Sequence, residues 1–113
     1  MSTPVILVDL MRRIESRREQ PPKNSYTAEL MAGGSESIGE KIAEEAAEVV
    51  TAAAACDGST ARRNDVIHEA ADLIYHLFVL LAFCRVSLDE VSGELAARFG
   101  TSGLDEKAAR PSG

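Results

Sequence analysis

Apolar residues recur at intervals of three and four positions along much of the chain, and this spacing predicts helices. In the first segment the apolar side consists of Ile6, Leu7, Leu10, Met11 and Ile14. Thr3 and Pro4 suit the N-cap and the first helical position, and Pro21-Pro22 forbid continuation of a helix. The sequence therefore predicts a first helix that begins at Thr3-Pro4 and ends before Pro21.

The segment that follows is expected to be irregular or partly helical over residues 23–35, with a turn at Gly33-Gly34. Ser37 and Glu40 then have the spacing of a capping box. We therefore expect the second long helix to begin near Ser37 and to end near Ala55.

Two more helices follow from capping residues and apolar periodicity. Ser59 or Thr60 is expected to cap a helix over about 61–83. A capping box at 87–90 begins another, which ends at Gly100. The predicted fold class is all-α, with four to five helices in an antiparallel helical bundle.

The helix predicted over about 61–83 is apolar around most of its circumference between Leu73 and Phe83. Such a helix must be buried on nearly all sides, and one small monomer of three or four helices offers few ways to bury it. We therefore expect homodimerisation to complete the bundle.

Four carboxylates lie beside the apolar stripes of the two long helices. At about 100° per residue, Glu45 and Glu48 lie about 60° apart on one helix, and Glu69 and Asp72 stand in the same relation on the next. Like charges at this spacing destabilise a helix by roughly 0.2–0.5 kcal/mol per pair, and partial burial adds to the penalty. A divalent cation between the helices would neutralise them, and an all-oxygen ligand set favours Mg²⁺.

The alternative is a solvated acidic face on which Lys41 pairs with Glu45 one turn further along. A single Glu-x-x-Glu pattern favours that interpretation, but a second acidic pair at the edge of a strongly apolar helix favours the metal site. His76 follows Asp72 by four residues. It is expected either to act in the site or to take its orientation from the Asp72 carboxylate.

These residues and their flanks resemble a known family. Glu44-Glu45-x-x-Glu48, followed by Glu69-x-x-Asp72, resembles the signature of the all-α nucleoside triphosphate pyrophosphohydrolase superfamily. Ser25-Tyr26-Thr27 and the run from Glu69 to His76 are similar to the phosphoribosyl-ATP pyrophosphatases of histidine biosynthesis. The resemblance extends from about Leu7 to Arg110, and the chain departs from it at Ala43, where a glycine is common.

The resemblance implies Mg²⁺-dependent hydrolysis of phosphoribosyl-ATP to phosphoribosyl-AMP and pyrophosphate. Taken with the chemistry of the side chains, it gives as candidate metal ligands Glu45, Glu48, Glu69 and Asp72, and as candidate catalytic residues Glu44, Glu45 and Glu48. The candidate substrate-binding residues are Ser25, Tyr26, Thr27, Lys41, Arg98 and Lys107.

Two other functions are compatible with the same residues. One is a housekeeping pyrophosphohydrolase that removes aberrant or excess nucleoside triphosphates, because the acidic motif does not separate these substrates from phosphoribosyl-ATP. The other is a non-catalytic helical dimerisation module whose acidic edges bind a metal or nothing.

The length of 113 residues predicts a single domain, with residues 101–113 as a C-terminal tail. A formal net charge of -6 argues against nucleic acid or a membrane surface as the main partner. The longest strongly apolar stretch, Leu73 to Cys84, is too short to span a bilayer. Because the chain opens directly into an amphipathic pattern, we expect a cytoplasmic protein, with Cys56 and Cys84 as reduced packing residues.

Overall fold

The computed structural model of the protein describes residues 4–100, which form five α-helices. The helices are α1 (Val5–Glu19), α2 (Tyr26–Ala32), α3 (Gly34–Ala54), α4 (Thr60–Phe83) and α5 (Leu88–Gly100). Residues 4–100 contain no β-strand, which confirms the predicted all-α class.

The two long helices, α3 and α4, form the centre of the fold, and α1 and α2 pack against them. A short loop joins α3 to α4, so these helices run antiparallel. The core is made of Met11, Ile14, Leu30, Ile38, Phe78, Val79 and Ala82. Burial of an aliphatic side chain such as Ile38 or Val79, both fully enclosed, stabilises a fold by about 1.5–3 kcal/mol. This packing holds one edge of α3 beside one edge of α4.

Two of the predicted helix starts are wrong. Pro4 is the N-cap of α1 rather than its first helical residue, and its carbonyl accepts hydrogen bonds from the next turn. α3 begins at Gly34, because Gly33 ends α2 and also caps α3, and Gly34 has a φ of 80° that favours glycine. Ser37 therefore lies inside α3, and its capping-box spacing to Glu40 does not mark the start of a helix.

Other predicted starts are confirmed by their hydrogen bonds. At the start of α4 the side-chain oxygen of Ser59 accepts from the amide of Arg62 at 3.3 Å. Before α5, the Glu90 amide donates to Ser87 Oγ at 3.1 Å, and the Ser87 amide donates to Glu90 Oε1 at 2.9 Å. The second pair of bonds is the reciprocal arrangement of a capping box.

One apolar face of α4 is uncovered. Ile67, Ile74 and Leu77, which lie along one side of the helix, are 58%, 38% and 41% exposed. α4 is also long and apolar enough to cross a membrane by length and composition, a test that the core helix of a soluble protein passes as well. The single chain thus does not bury α4 on all sides, and the homodimer stays a prediction.

The two cysteines are both free, as expected, but the expectation that they are packing residues is wrong. Cys56 and Cys84 are exposed. Cys56 follows the end of α3, and Cys84 is the C-cap of α4, so both stand where the chain leaves the packed helices.

Candidate active site

Three carboxylates meet where the edges of α3 and α4 face each other. Glu45 and Glu48 share one side of α3, and Glu69 approaches them from α4. One carboxylate oxygen from each of the three lies within 4.8 Å of the others. The structure thus brings together three of the four predicted metal ligands, and we call these three residues the carboxylate cluster.

Crowding of negative charge makes the carboxylate cluster reluctant to ionise fully. A hydrogen bond with Glu48, then burial, then the charges of Glu48 and Glu45 raise the pKa of Glu69 from 4.5 to about 7. Burial is the largest cause that raises the pKa of Glu45, followed by the hydrogen bond and the charge of Glu48. Glu69 therefore keeps its proton up to near neutral pH, so the carboxylate cluster does not carry three full charges there.

The geometry and the donor set of the carboxylate cluster fit a hard divalent cation. Glu45 Oε2 and Glu69 Oε2 are shielded from solvent and have no hydrogen-bond partner among residues 4–100. Buried polar atoms are rarely left without a partner, and carboxylate oxygens are the ligands that Mg²⁺ prefers. With metal–oxygen bonds of about 2.1 Å, ligands on opposite sides of Mg²⁺ stand about 4.2 Å apart. The cluster therefore has about the size of such a site.

The fourth predicted ligand lies beside the carboxylate cluster rather than within it. The charge of Asp72 contributes to the raised pKa of Glu45. An Asp72 carboxylate oxygen also lies 3.4 Å from His68 Nε2, one turn earlier on α4. Asp72 is thus close enough to act electrostatically on the cluster while pairing with a histidine.

Glu44 and Lys41 pair with each other on the outer side of α3. Lys41 Nζ lies 3.3 Å from Glu44 Oε2, and both side chains are substantially exposed. A hydrogen bond to Glu44 is the largest cause that raises the pKa of Lys41. The alternative in which Lys41 pairs with Glu45 is therefore wrong, because Glu45 turns inward to the carboxylate cluster.

A groove of about 420 Å³ extends from the carboxylate cluster toward the loop between α3 and α4. Its lining is Ala47, Glu48, Thr51, Ala52, Ala55, Arg62, Asp65, His68 and Glu69. The small residues of α3 keep it open, while Arg62 and His68 bring basic groups to its α4 side. Sequence reasoning missed these two as site residues, although Arg62 precedes Glu69 by seven positions and thus shares its face of α4.

The opposite end of the same helix edge is aromatic. The hydroxyl of Tyr26, on α2, lies 2.9 Å from His76 Nε2. His76 is only 6% exposed, and its Nδ1 lies 2.9 Å from the backbone carbonyl oxygen of Asp72. The expectation that the Asp72 carboxylate orients His76 is therefore corrected: the backbone of Asp72 does so, and its carboxylate pairs elsewhere.

The three residues of the Ser-Tyr-Thr segment have different surroundings. Ser25 is buried and caps α2, with its hydroxyl accepting from the Ala28 amide at 3.2 Å. Thr27 is buried, and its hydroxyl is hydrogen bonded to that of Tyr75. Tyr26 is 46% exposed. Of the three predicted substrate contacts, only Tyr26 presents a substantial surface to solvent.

The remaining predicted contacts lie at the C-terminal side of the chain. Arg98, on α5, is half-exposed and its Nε lies 3.2 Å from Glu94 Oε1 of the same helix. α5 makes little contact with the other helices. The structure therefore does not join Arg98 to the carboxylate cluster, and Lys107 lies outside the described residues.

Known proteins are similar over most of this chain. The family described as phosphoribosyl-ATP pyrophosphohydrolase matches residues 7–99. A phosphoribosyl-ATP pyrophosphatase of Rhodopirellula baltica is 53% identical over 102 residues, 90% of this chain and 83% of that protein. Proteins with the same name are 47% identical in Dechloromonas aromatica, over 97% of both chains, and 46% identical in Nitrosospira multiformis, over 100% of this chain and 89% of the relative.

The fold and the site define an all-α protein with a carboxylate cluster, suited to a divalent cation, between two antiparallel helices. The chain belongs to the phosphoribosyl-ATP pyrophosphohydrolase family. As a member it is an enzyme, a hydrolase that acts on a phosphoanhydride.

Proposed function

We propose that the protein hydrolyses the α,β-phosphoanhydride bond of phosphoribosyl-ATP, giving phosphoribosyl-AMP and pyrophosphate. This is the second step of histidine biosynthesis, and we place it in the cytoplasm. The carboxylate cluster carries the proposal, because it stands in a chain whose relatives are named for this activity. The net charge of -6 favours a small nucleotide, neutralised by a cation, over nucleic acid or a membrane as the partner.

Glu45, Glu48, Glu69 and Asp72 would hold Mg²⁺. The chemistry that a bound cation would supply there is positive charge, which would offset the negative charge of the leaving pyrophosphate. The two buried oxygens without partners, one on Glu45 and one on Glu69, support this assignment. Three carboxylates packed this closely also need a positive partner to be ionised together.

Glu45 is the best-placed residue to take the proton of the attacking water. One of its carboxylate oxygens would bind Mg²⁺, which leaves the other to accept the proton. Glu45 and Glu48 both belong to the carboxylate cluster, whereas Glu44 does not. Glu44 is occupied by Lys41 on the outer side of α3, so its contribution is to hold that lysine.

The groove beside the carboxylate cluster suits the phosphates of the substrate. Its volume of about 420 Å³ is within the range of small-molecule sites. Arg62 offers a guanidinium to phosphate oxygens, and its pairing with Asp65, at 3.7 Å and half-exposed, is weak enough to exchange. Lys41, Arg98 and Lys107 complete the proposed set of basic substrate contacts.

The measurement that tests this function is pyrophosphate release from phosphoribosyl-ATP, from ATP and from dUTP, each with and without Mg²⁺. We expect rapid, Mg²⁺-dependent turnover of phosphoribosyl-ATP alone. Turnover of ATP and dUTP instead would assign the protein to housekeeping hydrolysis of nucleoside triphosphates. Absence of pyrophosphate release from all three substrates would favour the non-catalytic dimerisation module.

We also propose that the enzyme is a homodimer joined through the exposed face of α4. Ile67, Ile74 and Leu77 form an apolar surface that a second copy of the chain would bury. Leu77→Glu should convert a dimer to a monomer in sedimentation equilibrium, while Ile6→Glu, on exposed α1 surface, should not. A wild-type protein that sediments as a monomer at micromolar concentration contradicts the dimer.

A further inference from the structure

A chain of two hydrogen bonds links Tyr26 to the backbone of α4. The Tyr26 hydroxyl lies 2.9 Å from His76 Nε2, and His76 Nδ1 lies 2.9 Å from the carbonyl oxygen of Asp72. Both lengths are ordinary for hydrogen bonds. The direction of each bond follows from the groups at its ends.

The carbonyl of Asp72 can only accept, so the proton lies on His76 Nδ1. In a neutral imidazole the other nitrogen, Nε2, is then an acceptor. Tyr26 must therefore donate its hydroxyl proton to His76, and the free side of its oxygen can only accept. His76 is buried, and within residues 4–100 its two ring nitrogens are hydrogen bonded to Tyr26 and to this carbonyl, with no carboxylate paired to the ring.

The packing around His76 holds this arrangement in place. Tyr26 meets the His76 ring edge to face, with centroids 5.8 Å apart, and Tyr75 does so at 5.1 Å. The two tyrosine rings are nearly parallel, and the Tyr75 hydroxyl is held by Thr27. A ring enclosed in this way cannot turn over without breaking several contacts.

The Tyr26 hydroxyl lies beside the same edge of α4 that carries Glu69 of the carboxylate cluster. Burial raises the pKa of Tyr26, the charge of Lys41 lowers it, and the charges of Glu45 and Glu44 raise it. Tyr26 thus lies within electrostatic reach of three residues on α3. The groove with Arg62 lies toward the opposite end of that edge, beyond Glu48 and Glu69.

We propose that Tyr26 determines specificity by accepting a hydrogen bond from a hydroxyl or amino group of the nucleotide, and that His76 is the positioning residue that makes it an acceptor. An ionised phosphate only accepts hydrogen bonds, so Tyr26 does not bind the phosphates. The nucleotide then lies with its phosphates toward the groove and a sugar or base donor toward Tyr26. The identity of this nucleotide rests on the proposed function, but the direction of the hydrogen bonds does not.

The tautomer of His76 gives a test that is independent of activity. Long-range proton–nitrogen NMR spectra distinguish a ring protonated on Nδ1 from one protonated on Nε2. His68, the other histidine, is exposed and provides the internal reference, and His68→Gln removes its signals for assignment. We expect His76 in the Nδ1-protonated form; an Nε2-protonated or doubly protonated ring at neutral pH overturns the proposal.

Matched variants test the contact with substrate. Tyr26→Phe removes only the hydroxyl. His76→Asn keeps a donor for the Asp72 carbonyl but removes the acceptor for Tyr26, whereas His76→Gln keeps an acceptor near the position of Nε2. Tyr26→Phe and His76→Asn should each raise KM for phosphoribosyl-ATP about three- to tenfold with little change in kcat.

Two further readouts separate this role from a structural one. The double variant should be no worse than Tyr26→Phe alone, because both changes remove one interaction, and His76→Gln should restore KM to within about twofold. Inhibition by pyrophosphate should be the same in wild type and Tyr26→Phe. If pyrophosphate binding weakens as much as substrate binding, Tyr26 contacts phosphates and the proposal is wrong.

A failure of the proposed function gives a different pattern. If wild type does not hydrolyse phosphoribosyl-ATP, calorimetric binding of ATP and of pyrophosphate to the same variants replaces the kinetic comparison. Weaker ATP binding with unchanged pyrophosphate binding in Tyr26→Phe supports the proposal. Equal ATP binding in both proteins, or none in either, overturns it.

Discussion

The two parts of the α3–α4 edge differ in how their polar atoms are satisfied. At the aromatic end, Tyr26, His76 and the Asp72 carbonyl form a continuous chain of hydrogen bonds. In the middle of the edge, Glu45 and Glu69 each keep a buried oxygen without a partner among residues 4–100. The protein itself satisfies the polar atoms of the aromatic end, whereas the carboxylate cluster leaves two oxygens available to the proposed cation.

This difference indicates separate tasks for the two parts. A site whose polar atoms are already paired is preorganised and can select a ligand by the direction of its hydrogen bonds. Carboxylates that are crowded together repel one another, and a bound cation would neutralise them. We therefore expect the nucleotide to be selected at the aromatic end and to be hydrolysed at the carboxylate cluster.

The largest effect should follow from removal of one side chain of the carboxylate cluster. Glu48→Ala should lower kcat/KM for phosphoribosyl-ATP by on the order of 100-fold or more, because it removes a proposed ligand and changes the pKa of both neighbours. Glu40→Ala, an exposed position on the same helix, serves as the control. Circular dichroism should show the same helicity in both variants. Activity within a few fold of wild type in Glu48→Ala contradicts the assignment.

Binding of Mg²⁺ should stabilise the fold through the carboxylate cluster and not through the aromatic end of the helix edge. At a concentration about 100 times its Kd, a ligand of the folded state raises the free energy of unfolding by about 2.7 kcal/mol. Thermal unfolding with Mg²⁺ and with a chelator measures this increase. It should be nearly lost in Glu69→Gln and retained in Tyr26→Phe. An equal response of the two variants would remove the distinction between the two parts.

The smallest effect concerns the stability of the metal-free protein as the pH changes. The pKa of Glu69 is about 7 in the folded protein, above its ordinary value of 4.5. Between these two pH values the folded state therefore binds more protons than the unfolded state. The contribution of Glu69 to the free energy of unfolding is therefore fully present below about 4.5 and is lost as the pH rises through about 7. Urea unfolding in the presence of a chelator measures it.

Two controls isolate that contribution. Glu48→Gln should flatten the pH dependence, because Glu48 is the largest cause of the raised pKa of Glu69. Addition of Mg²⁺ should also remove the loss at high pH, since a bound cation favours the ionised carboxylate. The same pH dependence in the metal-free wild type and in Glu48→Gln would show that Glu48 does not raise the pKa of Glu69.

Local patterns in the sequence predicted most of the helices correctly. Ser59 and the capping box at 87–90 begin helices where expected, because capping depends on residues within one turn of each other. The same local rule was wrong at Ser37. There Gly33 and Gly34 start α3 earlier, and Ser37 takes a place inside the helix.

The carboxylate cluster was partly within reach of the sequence. Helical spacing puts Glu45 and Glu48 on one edge and Glu69 on another, and that much is fixed by 3.6 residues per turn. Spacing also indicates that Glu45 and Glu48 lie beside the apolar stripe while Glu44 points nearly opposite, but it could not decide that Lys41 pairs with Glu44. Nor could it decide that Asp72 stands beside the cluster and pairs with His68.

By itself, therefore, the sequence determined the helices, their apolar sides and the edges that carry charge, because these depend on intervals of a few residues. Only the tertiary structure decided which edges meet. Tyr26 and His76 are separated by fifty positions along the chain, and no local rule joins them. Their contact, and with it the direction of the Tyr26 hydroxyl, exists because packing of Leu30, Ile38 and Val79 fixes α2 and α3 against α4.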